Sequence, residues 1–178
     1  MIGVSFLEGL AELMEALTQP GVAAQFPTVG RWSVTGMPAG WIYVADFGIR
    51  QMRMDGGQVA ASVGVGQDTL DAESGMAAYV EKQMKLIRGH LKEAKFAGPQ
   101  PTAFTGADEA QLLFVRHNVA QAGSMLHAQT YVRSGLWLGI ITLTTLEDQL
   151  GAARADYEVF VKGLRIRPEL AGGQGARA

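Results

Sequence analysis

Three histidines, His90, His117 and His127, are the side chains of this sequence best suited by type to proton transfer near neutral pH or to binding a metal. His117 and His127 fall in two strand-like runs, Gln111–Asn118 and Ser124–Arg133, so a hairpin could bring their imidazoles together. A zinc site needs at least a third protein ligand. No His-rich or carboxylate-rich segment supplies one at a suitable spacing, and hydrogen-bonded sheet histidines are the expectation. His90 lies on the polar side of a helical stretch and reads as solvated. Nucleophilic catalysis needs a nucleophile beside an oriented base, yet there is no cysteine and no Gly-x-Ser-x-Gly. Gly64-Val65-Gly66-Gln67-Asp68-Thr69 has the outline of a phosphate loop but lacks its lysine and its later glycine. Asp68, Asp71 and Glu73 precede a helix, where carboxylates suit the dipole. The expectation is a non-catalytic protein without metal or cofactor, with a small-ligand or enzymatic role for His117 and His127 as an alternative.

Composition narrows the partners. Fifteen Lys and Arg against seventeen Asp and Glu give a net charge of -2 over 178 residues. That balance offers no electrostatic reason to bind nucleic acid or an acidic membrane surface. The aromatic residues are not interleaved with basic ones, which also argues against single-stranded nucleic acid. The absence of cysteine excludes disulfides and thiolate sites within this sequence. Glu8, Glu12 and Glu15 interrupt the N-terminal apolar residues and no basic residue precedes them, unlike a secretory leader. No apolar run reaches the ~18 residues that span a bilayer, and Leu136–Leu143 is only strand-sized. Membrane insertion is therefore not expected, and the cytoplasm is the expected compartment.

These residues must be positioned by elements that the pattern itself predicts. Phe6, Leu10, Leu13, Met14 and Leu17 give residues 4–17 the stripe of an amphipathic helix, and a Gly/Pro-punctuated connector follows over 18–30. Strands are predicted at Arg31–Thr35, Trp41–Asp46, Ile49–Met54 and Gln58–Val65, with Asp55-Gly56-Gly57 as a hairpin turn. Met76, Tyr79, Val80, Met84, Ile87 and Leu91 define a helix over 74–94, with Asp71 or Ser74 to cap it and Pro99 and Pro101 after its exit. Strands at Thr102–Thr105, Gln111–Asn118, Ser124–Arg133 and Leu136–Thr144 follow, then a helix over 147–163; the low-complexity end, 168–178, reads as disordered.

Strands in series joined by short turns must be antiparallel. The predicted fold is α+β: an antiparallel sheet with helices packed on one face and the other face at least partly open. Alternation divides Ser124–Arg133 into a core set, Leu126, Ala128, Thr130 and Val132, and a mixed set, Met125, His127, Gln129, Tyr131 and Arg133. The mixed set suits a surface that holds an apolar ligand; an ordinary solvated face is the alternative. In Gln58–Gly66, Ala60, Ser62, Gly64 and Gly66 form a face of small residues that lets another backbone come close.

Trp32-Ser33-Val34 before Met37-Pro38-Ala39-Gly40-Trp41, the helix at 74–94, Gly106-Ala107-Asp108-Glu109-Ala110, Leu126 to Tyr131, and Gly139 to Thr145 before a terminal helix with Phe160 occur in a familiar order. Over residues 31–167 the chain resembles the DcrB-like family, whose PsbP/Mog-like fold is an α/β/α sandwich. It is most similar to the cytoplasmic Eag-type chaperones of type VI secretion. The resemblance implies a homodimer that shields the transmembrane-type helices of a PAAR- or Rhs-type effector in a concave sheet surface. It places Gln129 as a groove glutamine and Ser62 as a groove serine, with Ile42 and Val44 as apolar contacts and His127 and Tyr131 beside them. An assembly factor of PsbP/Mog type, binding a folded protein, is the alternative it leaves open. Residues 1–30 are an addition to that domain.

Overall fold

The structure, a computed structural model, describes residues 28–35, 38–39, 41–46, 48–55, 58–91, 93–120 and 123–167, with the backbone alone at 28–29, 41–46, 48–55 and 58–59. The expected N-terminal helix at 4–17, most of its connector, and the tail at 168–178 lie outside the described residues.

Among the described residues, ten strands and two helices follow one another: β1 (Thr28–Val29), β2 (Trp32–Val34), β3 (Trp41–Asp46), β4 (Gly48–Asp55), β5 (Gln58–Thr69), α1 (Gly75–His90), β6 (Lys95–Thr102), β7 (Glu109–Val119), β8 (Gly123–Ser134), β9 (Trp137–Leu146), a 3-10 turn at Glu147–Gln149, α2 (Leu150–Gly163) and β10 (Leu164–Ile166). Seven strands form an antiparallel sheet in the order β3-β4-β5-β9-β8-β7-β6; β1-β2-β10 form a second, small sheet. Turn chemistry sets the hairpins. Asp55 pairs with Gln58 across the two glycines, and Ser134 pairs with Trp137 across a turn in which Gly135 takes φ 62°.

The expected α+β sandwich is present, but its two described helices lie on opposite faces and not together on one. α1 packs Met76 and Val80 on Leu113, Val115, Tyr131 and Leu138. α2 packs Ala153 and Phe160 on Ala128, Val132, Ile141 and Leu143. The reason is visible in the strands. β8 buries Thr130, Tyr131 and Val132 in succession, and β9 buries Leu138 and Ile141 on opposite sides. Strands apolar on both sides need cover on both sides.

Some element boundaries differ from those the sequence predicts. α1 ends at His90 because Leu91 leaves helical geometry at φ -118°, ψ 84°. The expected side-chain cap is not made: Ser74 stands at the N-cap position without a cap hydrogen bond, and Asp71 instead accepts from the Glu73 amide and the Ser74 hydroxyl in the turn before the helix. A strand runs from Lys95 to Thr102, not from Thr102 to Thr105, and includes Pro99 and Pro101. It lies at the sheet's edge, where a residue without an N–H can sit with its donor side away from a neighbour.

Trp32 fixes the small sheet to the large one. It is fully buried, its Nε1 donates to Gly66 O at 2.8 Å, and its ring meets Trp137 and Phe104 edge-on at 5.1 and 5.7 Å. Gly139 makes room for it: a Cβ there would stand 2.2 Å from Trp32 Cζ2.

Candidate functional site

Cross-strand register gathers the residues singled out from the sequence. One row across the sheet runs Val115, His127, Thr144, Ser62, Met52, Ile42. The next runs Leu113, Gln129, Thr142, Gly64, Arg50, Val44. A third holds Gln111, Tyr131, Ile140 and Gly66. Directly opposed residues share a face, so Ile42, Val44, Ser62, His127, Gln129 and Tyr131 occupy three adjacent rows of the α1 face. The side chains of Ile42 and Val44 lie outside the described residues.

α1 divides this face. At its covered end, Tyr131 is only 1% exposed and meets Tyr79 edge-on at 6.2 Å. Burial pushes its phenol up to about 12. Burial raises the Tyr79 phenol as well, reinforced by its 2.8 Å bond to the Asp68 carboxylate. Tyr131 is thus a core residue and not a contact for a partner, which corrects the expectation for it. The cause is the docking of α1, which alternation along β8 does not encode. Its hydroxyl still serves the surface, donating to Gln129 Oε1 at 2.7 Å and fixing that amide.

Beyond α1 the rows are half-exposed: Ser62, Gly64, Thr142, Thr144, Gln129 and His127. His127 Nδ1 shares a 2.9 Å hydrogen bond with Thr144 Oγ1, and its ring stacks on His117 at 5.1 Å and 2°. The hairpin thus does bring the two imidazoles together. Burial first, and the neighbouring His117 second, lower the His127 pKa from its ordinary value and favour the neutral ring. His117 Nδ1 is buried and has no hydrogen-bond partner among the described residues. No group of three or more His, Asp or Glu side chains is placed to hold a metal among the described residues. Among the described residues, nothing lies within 4 Å of where a Cβ of Gly64 or Gly66 would stand. The arrangement offers a shallow strip with hydrogen-bonding groups on one side and bare backbone in the middle. Thr142 and Thr144 belong to it although no sequence signal marks them; only the pairing of β9 with β8 reveals them.

The α2 face holds a different feature, a cavity of about 860 Å³ between α2 and strands β6–β8. Phe104, Leu112, Phe114, Tyr157 and Val161 line it, and all five are only partly buried against the core. The Tyr157 hydroxyl bonds Thr130 Oγ1 at 2.8 Å, and burial pushes the phenol up to about 12. No sequence motif marks this cavity, because it is the space that α2 leaves beside itself. Among the described residues no helix is long and apolar enough to cross a membrane.

No family model matches the chain, and no curated protein does. Solved structures do. The cyanobacterial PsbP protein CyanoP from Synechocystis aligns at a TM-score of 0.59 and 14% identity, over 84% of this chain and 97% of its own. LpqN of Mycobacterium tuberculosis, described as involved in cell envelope biogenesis, aligns at 0.54 and 15%, over 79% and 87%. The Saccharomyces cerevisiae Ran-binding protein Mog1p aligns at 0.52 and 13%, over 77% and 90%. At these identities the likeness is one of fold: the chain has the PsbP/Mog1-like architecture, and the finer resemblance to DcrB-like and Eag-type proteins rests on the sequence alone.

Proposed function

We propose that the chain is a non-catalytic protein-binding module, a chaperone that receives an apolar, transmembrane-type helix of a secreted effector on the sheet rows beyond α1. The observation that carries this reading is the open strip itself. Gly64 and Gly66 present backbone with no described side chain within 4 Å of a Cβ position, so a helix can lie close to the sheet. Ser62, Thr142 and Gln129 flank that strip and can bond polar atoms or backbone carbonyls of the helix. Apolar helix surface removed from water there is worth roughly 25 cal/mol per Å². On this reading the protein acts in the cytoplasm as a homodimer that shields the helix from water until export.

The test is a titration of the purified chain with synthetic transmembrane segments from a PAAR- or Rhs-type effector encoded beside it. Binding is expected, and Gly64→Trp should weaken it tenfold or more without lowering Tm, because the position is open. Failure to bind any such segment, or equal binding by Gly64→Trp, overturns the assignment.

A second reading has its own support. The described part of the strip is polar, with Ser62, Thr142, Thr144, Gln129 and His127, and a folded protein partner meets such a surface well. The yeast neighbour of similar fold is a Ran-binding protein. A folded partner that binds in full without any apolar segment, and that Gly64→Trp displaces, selects this reading over the first.

A further inference from the structure

We propose that the cavity between α2 and strands β6–β8 binds a single-chain amphiphile with an anionic head, a ligand of the fatty-acid class. Cross-strand register builds the recess. One row runs Phe114, Ala128, Leu143 and the next pairs Leu112 with Thr130. Ala128 is the small side chain between two large ones, so the floor is lowest there. α2 supplies the facing wall, where Leu150, Tyr157 and Val161 recur at helical spacing over roughly 16 Å. Phe104 closes a further side and is held there edge-on to the buried Trp32 at 5.7 Å. Among the described residues the space is about 860 Å³, within the roughly 300–1,000 Å³ of small-molecule sites.

The polar groups sort by depth. On the floor the hydroxyls of Thr130 and Tyr157 satisfy each other at 2.8 Å, so the deep part needs no polar atom from an occupant. Phe104, Leu112, Phe114 and Val161 are only partly buried, and an alkyl chain would complete their cover. The charges stand at the exposed rim: Arg154, Lys162 and Arg165 against the single carboxylate of Glu158, which Arg154 holds at 3.1 Å. Arg165 donates to the carbonyls of Lys162 and Leu164, which fixes its guanidinium near the C-terminal end of α2. Lys162 has no ion-pair partner among the described residues.

Three cations less one carboxylate leave the rim with two positive charges in excess, in a chain whose net charge is -2. A low-dielectric cleft with a cationic mouth concentrates anions at that mouth. An apolar interior beneath it selects an occupant that is apolar at one end and anionic at the other. A neutral alkane would leave the rim unused, and a small soluble anion would leave the interior uncovered. The cavity lies on the opposite face of the sheet from the strip around Gly64, so this site does not depend on the function proposed for that strip.

The test is a calorimetric titration of the full chain with laurate, kept below its micelle-forming concentration. One-to-one binding is expected. Each methylene withdrawn from water is worth roughly fourfold in affinity, so decanoate should bind about tenfold more weakly. Dodecanol has the same tail without the charge and should bind about threefold to fivefold more weakly than laurate at low salt. Lys162→Glu should weaken laurate and leave dodecanol unchanged. Leu112→Trp fills the space and should abolish binding, with its Tm as the check on folding, whereas Gly64→Trp on the other face should bind laurate as the natural chain does. The proposal is overturned if laurate does not bind, if decanoate or dodecanol binds as tightly, or if Gly64→Trp loses laurate while Leu112→Trp keeps it. Light scattering decides against a second copy of the chain as occupant: a dimer that Leu112→Trp splits and laurate leaves intact also overturns it.

Discussion

The two faces of the seven-stranded sheet meet water in opposite ways. From β3 to β6 the sheet is roughly 29 Å wide, whereas one helix with its side chains is only about 10 Å across. A single helix therefore leaves part of either face bare. On the α2 face the uncovered part keeps Phe104, Leu112 and Phe114. On the α1 face it is Ser62, Gly64, Thr142, Thr144, Gln129 and His127. Large apolar side chains call for cover at all times, while small and hydrogen-bonding ones tolerate water and can exchange it for a partner.

Breaking the sealed part of the α2 face should have the largest effect. Phe160 is 1% exposed at the centre of the main core, and Phe160→Ala is expected to cost about 3–5 kcal/mol in denaturant unfolding. Paired glycine substitutions sharpen the contrast between faces. Gly139→Ala drives a Cβ into the rings of Trp32 and Trp137 and should cost about 1–3 kcal/mol, whereas Gly64→Ala, into open space, should stay within about 0.5 kcal/mol. At the boundary of the α1 cover, Tyr131→Phe removes the bond that fixes Gln129 and should cost about 1 kcal/mol. The smallest effect is a pH dependence. The folded-state pKa of His127 lies below its ordinary value, so between the two the unfolded chain binds more protons and stability rises with pH. Its contribution is present above the ordinary histidine range and is lost as pH falls through that range to the lowered pKa. His127→Gln should flatten that limb of the stability curve, and an unchanged slope would show that His127 does not carry it.

Much of this division is legible in the sequence, and the reasons for the rest are physical. Alternation along β8 separates Leu126, Ala128, Thr130 and Val132 from His127, Gln129 and Tyr131 because a strand's side chains alternate strictly. Asp55-Gly56-Gly57 and Ser134-Gly135 mark hairpins through turn geometry that neighbouring residues dictate. Which side a helix takes is not local. Met76 and Val80 describe a stripe on α1, and Ala153 and Phe160 one on α2, but neither stripe names its face of the sheet. Tyr131 escapes the pattern for that reason, since it alternates with the surface set yet lies under α1. Pro99 and Pro101 mislead in another way, for in β6 they stand on an edge strand that tolerates them. Thr142 and Thr144 need the register of β9 against β8, a contact between segments joined by no motif.

The clasp between β2 and β10 has a mechanical consequence. Residues 164–166 pair antiparallel with 32–34, flanked by Thr35 N–H to Gly163 O at 2.8 Å and Arg167 N–H to Arg31 O at 2.7 Å. The described domain thus begins and ends side by side, with Arg31 Nε also bonded to Arg167 O. A pull applied at residues 31 and 167 loads these bonds one after another, as a zipper, and not all at once as in shear. Tension from both ends would release β10 first and α2 next, exposing Trp32 and Phe160 before the seven-stranded sheet has lost a strand.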